Sequence, residues 1–153
     1  MTNAIDRAER MIADALPDGA DGPSGPALAA ALRDSGLLAE CLTLAHHPRD
    51  PLRLLDALQR VGGANLSAGR LFEGHVNAVK LLMLHGGPTA PVAQGALYGI
   101  WGADGPDPAR IEGSVIRGQK LFASGADVLD HMIVTVRSDA GLHLMMFARD
   151  QLD

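Results

Sequence analysis

Cysteine, tryptophan and tyrosine each occur once in these 153 residues, and phenylalanine three times. The lone Cys41 excludes an internal disulfide framework, and a reducing cytosol is the natural compartment for such a chain. With no CxxC partner it is expected to be a buried structural thiol and takes no catalytic role. Long apolar runs are also missing: none reaches the roughly 18 residues a membrane span requires, the longest being broken by Arg, Lys or His. The opening MTNAIDRAER is charged and has no apolar centre, so it does not read as a secretory signal. Cations are scarce, 13 Lys and Arg against 18 Asp and Glu, for a net charge of −5. No basic cluster exists to displace counterions from phosphates, which argues against a nucleic-acid partner. A soluble cytoplasmic protein is expected. Its 47% apolar and 20% charged residues are those of a folded domain rather than a disordered chain.

Helical patterning fills the first part of the sequence. Ile5, Ala8, Ile12 and Ala15 form one apolar stripe over residues 3 to 16. Residues 17 to 26, PDGADGPSGP, are too rich in Pro and Gly for regular structure and read as a loop. ALAAALRDSG follows as a helix ending near Ser35, with Gly36 at the position of a left-handed cap. In RDPLRLLDALQRVGG, Asp50 caps, Pro51 fits the first turn and Gly62 closes; Leu52, Leu55, Leu58 and Val61 are the expected buried stripe. From about Ser67 to His85 the apolar face is broader, with Leu71, Phe72, Val76, Val79, Leu82 and Met83, which implies packing on two sides.

After HGGPTAP the period shortens. Strands are expected at 96–101, 114–123, 130–137 and 142–148, the last with an edge that needs cover. Helices first and strands afterwards mean an α+β fold: an N-terminal helical bundle over 1–94, then a partial antiparallel β-barrel or sheet over 95–153.

Candidate chemistry is sparse. Glu73 and His75 stand two apart on a helix and diverge, so a polar rim is favoured over a metal pair, and no HExxH pattern accompanies them. His46 and His47 precede Pro48 in an expected exposed loop. Ser124 lacks the GxSxG frame of a nucleophile elbow. Gly113, Gly118 and Gly125 do not make a dinucleotide fingerprint, because they lie between strands. What stays is a turn, Ser124-Gly125-Ala126, whose small residues would let backbone approach a flat ligand, although most such turns only join strands.

The order GRLFEGHVNAVKLL, LYGIWGADGP, IEGSVIRGQKLFASGADVLDHMIVTVR resembles the acyl-CoA dehydrogenase family from about Gly36 onward. Gly118 to Ala126, GQKLFASGA, is similar to its G-x-K-x-(W/F/Y)-x-(S/N)-G-A segment. The resemblance implies FAD as cofactor, lying against a strand like 98–103 and a turn like 121–124, with Trp101, Gly102, Leu121, Ala123 and Ser124 as the cofactor-binding residues. Trp101 and Gly102 stand where the family usually has Thr-Glu, and Ala123 where many members have Thr, so contacts there would be made through backbone, with Ser124 the nearest hydroxyl.

An acyl-CoA thioester is the implied substrate, with α-proton abstraction by a carboxylate and hydride transfer to flavin. The family carries its glutamate base on a C-terminal helical domain that follows the β-domain. No residue here is assigned as catalytic or metal-binding, and the chain reads as a truncated or split relative, assembling as a homo-oligomer or with a partner that supplies the missing domain. Two alternatives are an assembly module that has lost the cofactor, motivated by the broad helix 67–85 and the open strand edge, and a flavin-dependent monooxygenase-like protein.

Overall fold

Asn3 opens the first helix, its side chain accepting the Asp6 amide at 2.9 Å and so satisfying one free donor of α1 (Ala4–Asp14). The computed structural model describes residues 3–15 and 23–151. Most of the loop expected at 17–26 therefore lies outside the described residues. Ile5, Ala8 and Ile12 are buried as their spacing predicts. Helix α2 (Gly25–Asp34) starts inside the expected loop, with Ser24 as cap and Pro26 in its first turn. Arg7 of α1 holds the end of α2 by donating to the Ser35 carbonyl from Nε at 2.9 Å and Nη2 at 2.6 Å.

Helix α3 (Leu37–Leu44) has no counterpart in the sequence reading. LLAECLTL is apolar nearly all round, so it shows little periodicity; it is a helix because it is enclosed, with Leu37, Leu38, Cys41 and Leu44 all buried. Burial pushes the Cys41 thiol well above its ordinary range, which keeps it protonated. His46 and His47 follow in the expected loop, their rings 4.1 Å apart.

In α4 (Pro51–Ala64) Asp50 Oδ1 accepts the Leu52 amide at 3.1 Å, the expected cap. Two expectations fail here. Gly62 does not close the helix: it is where α5 (Leu66–His85) crosses, and a Cβ on Gly69 would sit 2.8 Å from the Gly62 Cα. Half of the stripe also fails, with Leu52 71% and Leu55 50% exposed, while Val61 is buried as expected and Leu58 packs partly buried against the core. Helix α4 packs mainly on α1 and α5, with Ala57 and Val61 buried and Leu54 and Leu58 partly covered. Arg60 fastens it to α1 through Asp6 at 2.7 Å and Glu9 at 2.9 Å.

Helix α5 packs against α2, α3 and α4 on one side and the first strand on another, which is why its apolar face is broad. A short helix α6 (Ala90–Ala93) leads to β1 (Tyr98–Trp101). The remaining strands are β2 (Arg110–Glu112), β3 (Val115–Arg117), β4 (His131–Ser138) and β5 (Gly141–Ala148), with a 3-10 turn at Arg149–Gln151. The long strand expected at 114–123 shrinks to β3 because Gly118 (φ 116°) and Phe122 (φ 56°) leave the extended region.

The expectation of an antiparallel sheet is corrected as well. β1 pairs in parallel with β4, Tyr98 opposite His131 through Trp101 opposite Val134, and β2 joins β4 in parallel at Arg110 and Arg137. Only the β2–β3 and β4–β5 hairpins are antiparallel. The five strands form a mixed sheet that does not close into a barrel. Helices make parallel pairing necessary: β1 enters from α5 and α6 at the same end at which β4 begins, where the Leu97 carbonyl accepts the Asp130 and His131 amides at 2.9 and 3.2 Å. Phe72 and Leu38 from the helices share one buried cluster with Tyr98 and Met132 from the sheet.

Candidate functional site

Cross-strand register decides which side chains meet. Because Trp101 is opposite Val134, and Val134 opposite Met145, these three stand in one row on one sheet face, with Phe147 beside them on β5. Together they form the floor of a groove of about 780 Å³. The β2–β3 hairpin supplies one wall through Ile111 and Ile116, and the segment from Gly118 to Ala126 supplies the opposite rim.

Of the five residues expected to hold a cofactor, Trp101 and Ala123 line this groove. Trp101 Nε1 donates to the Ser124 carbonyl at 3.4 Å, so the indole and the turn are joined through backbone. The Ser124 hydroxyl lies 3.5 Å from the Phe122 carbonyl, a long contact that leaves it able to pair elsewhere. Gly102 and Leu121 serve the scaffold. The Gly102 carbonyl accepts from Thr135 Oγ1 at 3.0 Å, the Leu121 amide donates to the Ala103 carbonyl at 3.0 Å, and the Leu121 side chain covers Gly105.

Behind that rim sits a polar clip that the sequence reading did not single out. Lys120 Nζ donates to Asp104 at 2.5 Å and to Thr135 Oγ1 at 2.6 Å, with its side chain only 7% exposed. Arg137 completes it through Nε at 3.1 Å and Nη2 at 2.9 Å to the other Asp104 oxygen. These two cations hold the Asp104 carboxyl below its usual range, Lys120 first. The clip ties the end of β1, the rim and β4 together, which fixes the distance across the groove. Lys120 lies inside GQKLFASGA, but its acid is sixteen residues upstream and only the folded chain shows the pair.

His75 is not part of a polar rim. It is fully buried, with the Tyr98 amide donating to Nδ1 at 3.1 Å and Nε2 3.0 Å from the Leu38 carbonyl. An accepting Nδ1 puts the proton on Nε2, so the neutral ring bridges α3, α5 and β1. Burial holds its pKa down at about 4. Glu73 points elsewhere, to Arg70 and Asn77 on its own helix. Among the described residues no group of three or more His, Cys, Asp or Glu is placed to hold a metal ion, and no helix is long and apolar enough to cross a membrane. The chain matches no family model, no curated protein and no solved structure.

Proposed function

We propose that this groove is one half of a flavin site and that the chain is an acyl-CoA dehydrogenase-like FAD-binding module. The observation that carries the reading is the meeting of Trp101, at the end of β1, with the Ala123–Ser124 turn over an apolar floor. A tricyclic ring needs a flat apolar surface and a rim without bulk. Val134, Met145 and Phe147 offer the first; Gly118, Ala123 and Ala126 offer the second.

Bound FAD would supply the hydride acceptor for oxidation of an acyl thioester. The chain's own residues would position it: Trp101 beside the ring, Ala123 leaving room for it, and backbone amides of the turn or the Ser124 hydroxyl toward its polar edge. No Asp or Glu is among the described residues lining the groove, so a base for the α-proton has to come from another polypeptide segment or a partner. Binding without turnover is the expected behaviour of this chain by itself.

Trp101 is the sole tryptophan, so its fluorescence reports the groove directly. Titration with FAD is expected to quench it saturably, after correction against free tryptophan. Ala123→Leu is expected to weaken FAD at least about fivefold, because filling the rim costs about 1 to 3 kcal/mol. Absence of saturable quenching, together with a colourless protein after incubation with FAD and gel filtration, would reject the flavin reading.

A further inference from the structure

Strand pairing brings together three arginines that are scattered along the sequence. Arg117 stands opposite Arg110 across the β2–β3 hairpin, and Arg110 stands opposite Arg137 where β2 meets β4. Opposed residues point to the same side of a sheet, so the three side chains form one row across three strands, about 10 Å long at the usual strand spacing. All three are exposed. Ile111 and Ile116, which alternate with Arg110 and Arg117, line the groove, so the arginine row lies on the other face of the hairpin.

Like charges directly opposite one another destabilise a sheet, and here the repulsion is only partly relieved. Arg137 spends Nε and Nη2 on Asp104, which leaves its Nη1 unused. Arg117 has Glu112 beside its Nε at 3.5 Å, beyond a good hydrogen bond. Arg110, in the middle of the row, has no side-chain hydrogen bond or ion pair among the described residues. Asp104 is already shared with Lys120. Four cations therefore meet two carboxylates, Asp104 and Glu112, and a positive patch remains on a chain whose net charge is −5.

We propose that the Arg110–Arg117–Arg137 row binds an oligophosphate, the di- or triphosphate group of a small molecule. This inference is independent of the flavin reading, because the groove opens on the opposite face. A guanidinium presents its donors as a planar fork that matches the edge of a phosphate. Three forks in a row call for an anion with several adjacent charged groups, which a single carboxylate does not have. The row continues to Leu142 on β5 and contains no aromatic side chain to stack on a base, so the charged group itself is what is recognised.

Calorimetric titration with tripolyphosphate at low ionic strength is expected to show one saturable site with a dissociation constant of about 1 mM or tighter. Arg110→Gln is expected to weaken it about tenfold or more. The same variant is expected to raise the melting temperature of the free protein, since it removes the central like charge; an arginine with only a structural role would lower it. Arg49→Gln, a change at an exposed arginine between α3 and α4 that makes no ion pair, is expected to leave binding within about twofold. Pyrophosphate and ADP are expected to bind alike, and ADP binding about tenfold tighter would support the site while assigning a nucleotide as the source. Absence of saturable binding, an Arg110→Gln variant that binds as the natural chain does, or equal losses in Arg49→Gln and Arg110→Gln would overturn the proposal.

Discussion

Replacing His75 with phenylalanine is expected to lower the unfolding free energy by roughly 2 to 4 kcal/mol, because the Tyr98 amide is left buried without a partner and the Leu38 carbonyl loses its second bond, keeping only the one within α3. The site is in the centre of the molecule, where no water replaces the ring. Urea denaturation at neutral pH measures the loss. His75→Gln retains one donor and one acceptor and is expected to lose much less.

The same residue sets an acid limit on the fold. In the unfolded chain histidine titrates near 6.5, whereas His75 in the folded chain titrates at about 4. Between those values the unfolded state binds one more proton, so stability rises with pH across that window. It is fully present above about 6.5 and is lost as pH falls toward 4, by on the order of 3 kcal/mol. The cause is geometric as well as dielectric: a proton on Nδ1 would face the Tyr98 N–H, donor against donor. Denaturation midpoints taken between pH 6.5 and 4 should fall steeply for the natural chain and much less for His75→Gln. Equal slopes for the two proteins would show that another group governs acid unfolding.

Gly118→Val is the second change with a large expected effect. Gly118 has φ 116°, and a Cβ there would stand 2.6 Å from the Pro108 oxygen and 2.8 Å from the Ala109 Cα. Those are backbone atoms, which cannot rotate away. The Ala109 carbonyl in turn accepts the Arg137 amide at 2.9 Å, so the wedge would push the 108–110 segment off β4. Conformational strain of about 1 to 3 kcal/mol adds to overpacking of similar size. A loss of roughly 3 kcal/mol or more is expected, with the β2–β3 wall of the groove detached. Chemical denaturation gives the energy, and loss of amide-exchange protection confined to residues 108–120 and their β4 partners would locate it. A variant with unchanged stability would mean the segment adapts freely.

Much of the helical half is legible because capping chemistry is local. Asp50-Pro51 and the breadth of the 66–85 face read directly. Helix α3 did not, since eight residues with only Glu40 and Thr43 on the polar side are too few to show a period. Leu52 and Leu55 misled for a different reason: a row spaced by three residues drifts around the helix, so Leu58 and Val61 reach the core while Leu52 and Leu55 face solvent. In the sheet, alternation located β4 and β5 to within one residue. Parallel pairing of β1 and β4 was not legible, because it depends on where the helices deliver each chain end.

For the candidate site, Trp101 and Ala123 are on the groove, while Gly102 and Leu121 belong to the scaffold behind it. Val134, Met145 and Phe147 could be recognised only as strand residues, since the floor they make exists through register. The Asp104–Lys120–Arg137 clip was hidden by separation along the chain.

Asp130 joins parts of the chain that are far apart in sequence. Its carboxylate receives the Leu97 amide at 2.7 Å and Arg33 at 2.9 Å, joining residues 33 and 97 positions apart. Contacts of such span require the intervening chain to close before they contribute, and closure entropy slows that step. The local helices can therefore form early, but β1 stays unpaired until the whole 102–130 excursion has returned with Asp130 at its end. The cost of that closure falls on the β1–β4 pairing alone, since the β2–β3 and β4–β5 hairpins pair locally.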